Sequence, residues 1–286
     1  MSNQITEAFV QQFATTYLHV AQQMPSRLQG AVTVESNIVG MSKSVNRLGR
    51  RTMQRRTTRH GDTPISDQPH STRFIDLFDF EDGDMIDQQD KLRLLVDPTS
   101  YYIQSMVAAA NRQKDQVVVD AALGNARSTT GNIALPSGQR IVAGGTGLTR
   151  AKIITAKKLF RAVEADEQSG EELYFVYGRE GMEDVLLDTT LTSSDFMAVK
   201  MLQQGDTSGQ WAGFRWIPLE LCPISGTTRS LFAFAKTGLA LGVGQDIVTE
   251  VGKDPGKGFN YRVYTKLSIG AVRIEEEKVV EVQITE

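Results

Sequence analysis

Cysteine occurs once, at Cys222, and histidine three times, at His19, His60 and His70. An internal disulfide is therefore excluded, and these residues share no zinc-ligand spacing. No run approaches 18 consecutive apolar residues, and the opening MSNQITEAFVQQF lacks a basic stretch followed by a long apolar one. Neither a spanning helix nor a secretory leader is expected, so the chain reads as soluble and unexported. Catalytic patterns are missing as well: G-x-S-x-G, H-E-x-x-H, a phosphate-loop lysine and an EF-hand are all absent, and the acids of FEDGD lack calcium-loop spacing. Gly144, Gly145 and Gly147 do not complete a phosphate or dinucleotide fingerprint and read as a flexible turn. The carboxylate pairs Glu180/Glu183 and Glu276/Glu277 read as solvated faces, and Cys222, between Leu221 and Pro223, as a small buried hydrophobe. No enzymatic activity, cofactor or metal is expected.

What is present is ordinary globular material: 286 residues, 40% hydrophobic and 23% charged, with a net charge of −3. Such a chain buries about three quarters of its unfolded surface in one or two domains, and its charge argues against a dedicated nucleic-acid binder. The stretch that organises it is DPTSYYIQSMVAAANRQKDQVVVDAALG, residues 97–124. Asp97 is a good N-cap, Pro98 suits the first helical position, and Gly124 is expected to close the helix in the left-handed conformation. The interval of roughly 26 residues predicts a strut about 40 Å long. Its buried stripe is expected at Tyr102, Met106, Ala109 or Ala110, Val117 and Ala121, with Gln104, Asn111, Arg112, Lys114 and Asp115 mostly elsewhere.

Ahead of the strut, Ile5, Phe9, Phe13, Tyr17 and Val20 step by three or four and predict a short amphipathic helix ended by Pro25 and Gly30. AVTVESNIVG then reads as a strand. Composition changes sharply after it. Residues 43–59 hold seven cations (Lys43, Arg47, Arg50, Arg51, Arg55, Arg56 and Arg59) and no acid, whereas residues 62–90 hold nine acids, Asp76, Asp79, Asp82 and Asp84 among them, against Arg73 alone. Between the two runs lies the turn-rich HGDTPISDQPH, so the segment is expected to fold back as a two-stranded excursion. Phe74, Ile75, Leu77, Phe78 and Phe80 suit contact with a packed body at its base. An isolated hairpin does not offset its own ordering entropy and needs a partner surface. The basic run reads in three ways: a solvated face, a nucleic-acid contact, or, the reading favoured here, a strand lying on acidic surface of a neighbouring subunit.

Beyond Gly124 a Gly/Ser/Thr-rich loop is expected, with a short strand at 139–142. Thr149 caps a second helix whose stripe is Ile153, Ala156, Phe160 and Val163. EELYFVYG, GFRWIPLELCPI and SLFAFA read as strands, REGMEDVLLD and SSDFMAVKMLQQG as short helices, and the remainder as β segments around the turn DPGKG. Trp211, Phe214, Trp216, Phe232 and Phe234 lie in strand-like runs and are expected in the core.

The run DKLRLLVDPTSYYIQSMVAAANRQKDQVVVDAALG, with an acidic and aromatic arm before it and the Gly/Ser/Thr loop after it, resembles the major capsid proteins of tailed bacteriophages. The likeness is strongest over residues 84–125, and the order of elements fits the rest. The resemblance implies an α+β fold with an N-terminal arm (1–43), an extended loop (44–96), a peripheral domain on the long spine helix (97–169 and 247–286) and an axial domain (170–246). It also implies a structural subunit that self-assembles as hexamers and pentamers into an icosahedral head enclosing double-stranded DNA, bound without sequence specificity. Expected with it are a separate scaffold protein, a portal, decoration proteins, assembly in the host bacterial cytoplasm, residence in the virion and no membrane partner. The inter-subunit contacts are expected at Arg47, Arg50, Arg51, Arg55, Arg56, Arg59, Asp76, Asp79, Asp82 and Asp84. Certain shells of this kind join a loop lysine to a neighbour's asparagine; Lys43 stands just before a run that is otherwise arginine, and arginine does not make that bond. Two alternatives stay open: an encapsulin-type compartment shell, and a nucleic-acid binder working through residues 47–59.

Overall fold

The computed structural model describes residues 22–59, 65, 67–87, 99–188 and 210–286. The first strand, β1 (Thr33–Ser36), is followed by β2 (Ser42–Leu48) and β3 (His70–Asp76), then by β4 (Phe78–Ile86) and the helix α1 (Thr99–Leu123). A small hairpin, β5 (Ala126–Ser128) and β6 (Gly131–Ile133), leads through β7 (Arg140–Ile141) to α2 (Arg150–Ala162), β8 (Leu173–Tyr177) and α3 (Arg179–Leu187). The remaining strands are β9 (Gln210–Trp211), β10 (Phe214–Pro218), β11 (Ile224–Ser225), β12 (Thr228–Ala235), β13 (Leu239–Asp254), β14 (Asn260–Arg273) and β15 (Val279–Thr285). They form three sheets: β1-β13-β14-β4; β7-β15-β12-β8-β10-β9 with β11 on β12; and β2-β3-β5-β6. The fold is α+β, as the resemblance implies. The amphipathic helix over residues 5–20, the cap at Asp97–Pro98, the turn at residues 60–64 and the helix SSDFMAVKMLQQG lie outside the described residues.

Two compact units result. One holds Asp79–Arg112 and Asp246–Leu267 with residues 22–25, and the other holds Ser26–Phe78, Gln113–Gln245 and Ser268–Glu286. Among the described residues, the first packs Ile86, Met106 and Val263 together, with Ile103 and Tyr261 against them. The second is built on the largest sheet, whose central strand β8, LYFVY, is buried at every position. Aromatic and β-branched residues suit a strand covered on both faces. Phe175 and Trp216 stack with centroids 4.4 Å apart, Trp211 and Trp216 at 4.2 Å, and Phe160 meets Phe214 edge-on at 6.0 Å. The five aromatics expected in the core are all there. β15, which the resemblance assigns to the peripheral domain, pairs with β12 of the expected axial domain over seven residues.

In α1 the buried row is Met106, Ala110, Lys114, Val118 and Ala122, each four residues on, flanked by Ala108, Asp115 and Val119. This corrects the expected stripe: Tyr102 is exposed, Val117 and Ala121 are only half-buried, and Lys114 and Asp115 are inside. Asp115 is buried because its carboxylate is fully used. The Ser26 hydroxyl donates to it at 2.6 Å, the Arg27 amide at 2.9 Å and the Leu28 amide at 3.0 Å. Three donors offset the desolvation of one charge, and they hold the residues leading into β1 against the helix.

The C-terminal end of α1 is also not closed as expected. Gly124 is not left-handed; its amide continues the helical ladder to Asp120 at 2.8 Å. The last carbonyls are taken instead by Arg273, fully buried in β14, which donates to Ala122 O at 2.9 Å, Gly124 O at 2.7 Å and Ile133 O at 2.9 Å. A guanidinium fork satisfies orphan carbonyls and places positive charge at the negative end of the helix dipole. Replacing Arg273 with Met should cost about 3 kcal/mol, since buried carbonyl acceptors are left without their charged donor. Urea unfolding should show a lower midpoint at unchanged slope, and a loss below about 1 kcal/mol would mean the helix end is held by other means.

Candidate functional site

β2 and β3 pair antiparallel from Ser42↔Asp76 to Leu48↔His70, the excursion that the charge reversal predicts. Beyond them Gly49 N donates to Pro69 O at 2.9 Å, and then the ladder stops. Residues 49–59 contain no strand and are exposed throughout, and the Met53 side chain is completely so. Arg51, Arg55 and Arg59 lie on this stretch. Arg50 donates to Val163 O, and Arg56 Nε to Thr58 O at 3.0 Å. Asp79, Asp82 and Asp84 are exposed on β4, the last strand of its sheet among the described residues. Arg47 and Asp76, by contrast, are engaged within the chain, by residues the sequence did not nominate. Asp76 pairs with Arg127 of β5, whose guanidinium also sits 5.2 Å from the Phe74 ring.

Arg47 is held by Glu276. Its Nη1 lies 3.0 Å from Glu276 Oε2 and donates to Ile274 O at 2.9 Å. The other carboxylate oxygen receives Arg73 Nη2 at 2.7 Å, so both oxygens are occupied by arginines from the two strands of the hairpin. Glu276, expected on a solvated face, is instead buried, in a short turn (Glu276–Lys278) before β15, and Arg73 is 3% exposed. Burial alone would raise the Glu276 pKa, but hydrogen bonds from Arg73 and Arg47 hold it below its ordinary value. Beside the cluster lies an apolar layer of Ile38, Ile75, Ala126, Ala240 and Val272. Only the base of the hairpin is tied down in this way. Gly270 completes the base: an added Cβ there would coincide with the Asp76 carbonyl, so β14 and the end of β3 approach more closely than any side chain allows.

The glycine turn at 144–147 is organised by Lys152, which the expected stripe of α2 omitted. Its buried ammonium donates to the carbonyls of Ala143 and Thr146 at 2.8 Å and of Gly147 and Gln283 at 2.9 Å. Converging carbonyls make a cation cage, already filled by the lysine. A phosphate site needs converging amides, so the geometry is the reverse of one. Cys222 is 3% exposed, and burial pushes its thiol up to about 12, which leaves it an unreactive apolar group.

Over residues 5–286 the chain matches the sequence family described as phage capsid protein. No curated protein matches it in sequence. Among solved structures, the capsid of the cyanophage P-SCSP1u is similar at TM-score 0.73 and 18% identity, over 99% of this chain and 94% of that one. The capsid of a native GTA particle gives TM-score 0.73 at 10% identity over 98% and 96%. The capsid of cyanophage Pam1 gives 0.70 at 14% over 98% and 97%. At such identities the likeness is one of fold.

A carboxylate with a depressed native pKa binds its proton more tightly when released, so its contribution is present above the ordinary value of 4.5 and is lost as pH falls through the native one. Protection of the β2 and β3 amides, taken relative to their intrinsic exchange rates at each pH, should therefore hold from neutrality down to about pH 5 and fall below the ordinary carboxylate range. The same acid step in a Glu276→Gln chain would assign it to another group. Thiol reagents should label Cys222 only as fast as the protein unfolds; immediate labelling would show a reactive site that the burial denies.

Proposed function

The chain belongs to the phage capsid protein family and is a major capsid protein, the structural subunit of the icosahedral phage head, and from this premise we propose that the free end of the β2–β3 hairpin is its assembly arm. The shell is closed by repeated copies and the chain resides in the virion; the family is a structural one rather than a family of enzymes. In the proposed contact, Arg50, Arg51, Arg55, Arg56 and Arg59 of one copy lie along the outer edge of β4 in the next, against Asp79, Asp82 and Asp84. Arg47 and Asp76 stay with their own chain and steady the base. Hexamers and pentamers, a separate scaffold, a portal, decoration proteins, assembly in the host cytoplasm and unspecific packaging of double-stranded DNA are proposed along with the arm.

One observation carries this reading. A stretch of eleven residues, 49–59, stands wholly exposed with five arginines and Met53, while both strands leading to it are anchored in the body. A segment with neither core nor ladder of its own gains order from a partner surface. β4 offers one: among the described residues it is the last strand of its sheet, and it adds carboxylates of the opposite sign. Each exposed pair contributes only about 0–1 kcal/mol, so a single arm holds weakly and a closed array of arms holds well.

Electron microscopy of chains carrying R51Q, R55Q, R56Q and R59Q together should show shells reduced about tenfold or more, because even a few tenths of a kcal/mol per arm multiply over the array. D79N, D82N and D84N together should reproduce the defect, and reversing charge on both sides should restore part of it. Trypsin should cut within 50–59 in the free subunit and be excluded in the shell. Arginine variants that assemble normally yet fail to retain DNA would sink the arm and favour the nucleic-acid reading.

A further inference from the structure

The two arginines that meet Glu276 come from opposite strands of the hairpin. Val45 faces Arg73 directly in the ladder, and Arg47 is two residues beyond Val45, so Arg47 and Arg73 are diagonal neighbours on one face. One carboxylate thus fixes the twist between both strands as well as their distance from the body. Attachment through the sheet is slight by comparison: β3 meets β5 at the single register pair Arg73↔Ser128. Three residues before Glu276, Arg273 holds the end of the spine helix, and Ile274, between them, supplies the carbonyl that Arg47 also uses. Residues 273–276 are therefore a short rigid bridge with the helix end on one side and the root of the hairpin on the other.

The cluster is not arranged for stability alone. The Nε–H groups of Arg73 and Arg273 are buried without an acceptor among the described residues, a desolvation cost that selection for stability alone would not leave in place. It joins two elements through charges that hold only in one geometry. We propose that Glu276 is a positioning residue for assembly, a latch that sets the direction in which the hairpin leaves the body relative to the C-terminal end of α1. This rests on the reading of the hairpin as an inter-subunit arm. In a curved closed shell, that direction decides where the arm meets the next copy, so loosening the latch alters which particles form while the subunit remains folded.

The full-length chain with Glu276→Gln keeps the shape of the residue and removes its charge. Hydrogen exchange of the unassembled protein should speed up about tenfold or more in β2 and β3, the loss expected of charge-assisted hydrogen bonds, while β8 and β12 exchange as in wild type. Particles made by the same chain should be irregular in size or fail to close. Arg47→Gln, which removes only the outer, half-exposed arginine, should give the same changes to a smaller degree and serves if Glu276→Gln does not fold; Glu276→Asp, which keeps the charge, should restore regular particles in part. Unchanged exchange in the hairpin would overturn the latch, as would equal acceleration in β8 and β12, which would mark general loss of stability. Regular shells built from a demonstrably loosened hairpin would overturn its positioning role. The arm reading fails separately: R51Q, R55Q, R56Q and R59Q test it without touching residues 273–276.

Discussion

A helix that ends inside a protein leaves carbonyls which must find donors or lose several kcal/mol to desolvation. In this chain the donor is one guanidinium, and the other features follow from where it sits. Arg273 lies at the last position of β14, so satisfying the end of α1 fixes the helix against that strand. Its third bond, to Ile133, draws in the β5–β6 hairpin, whose first strand flanks β3. Position along the chain then places Glu276 three residues away, under the root of the arm. Asp115 does comparable work earlier in the helix, using a charge of the opposite sign to hold the entering chain. A strut needs such side attachments, because its buried row is rich in alanine and offers little apolar area to grip.

Much of this was legible beforehand. The strut, the charge-reversed hairpin, the cap at Thr149, the aromatic strands and the DPGKG turn all announce themselves through local chemistry: caps, turns, alternation and runs of one sign. What stayed hidden were charged residues turned inward. Lys114, Asp115, Lys152 and Glu276 sit in stretches where polarity ordinarily marks solvent, yet all are buried: partners distant in sequence saturate Asp115 and Glu276, and three nearby carbonyls with one distant one hold Lys152. Periodicity weighs a residue by its own hydropathy and has no way to anticipate those partners. The strands β5 and β6 escaped for a different reason: at three residues each, ARS and GNI, they are too short to display a period, and they form where β3 offers an edge to β5.

The two sets of charges on the arm obey different physics. At the root, Arg73 and Glu276 are almost withdrawn from solvent, so their attraction is little screened and their geometry is fixed by several hydrogen bonds. Along residues 50–59 the arginines are exposed, their pairings are weak, and a salt concentration near 1 M shortens the screening length to about 3 Å. Root and tip are thereby made independent. Salt acts on the tip and leaves the root in place.

That separation suits a subunit that has to find its place among identical copies. In the arm contact proposed above, each pairing at the tip must be weak enough for a misplaced arm to dissociate, since tight early contacts would trap wrong arrangements. Weak contacts select the right neighbour only if they are presented at a defined angle, because freedom at the root would let the same arginines reach many surfaces equally well. Rigidity at the base and weakness at the end are therefore two halves of one requirement. The chain meets it by burying a carboxylate between two arginines where the hairpin begins and keeping the arginines of residues 50–59 exposed.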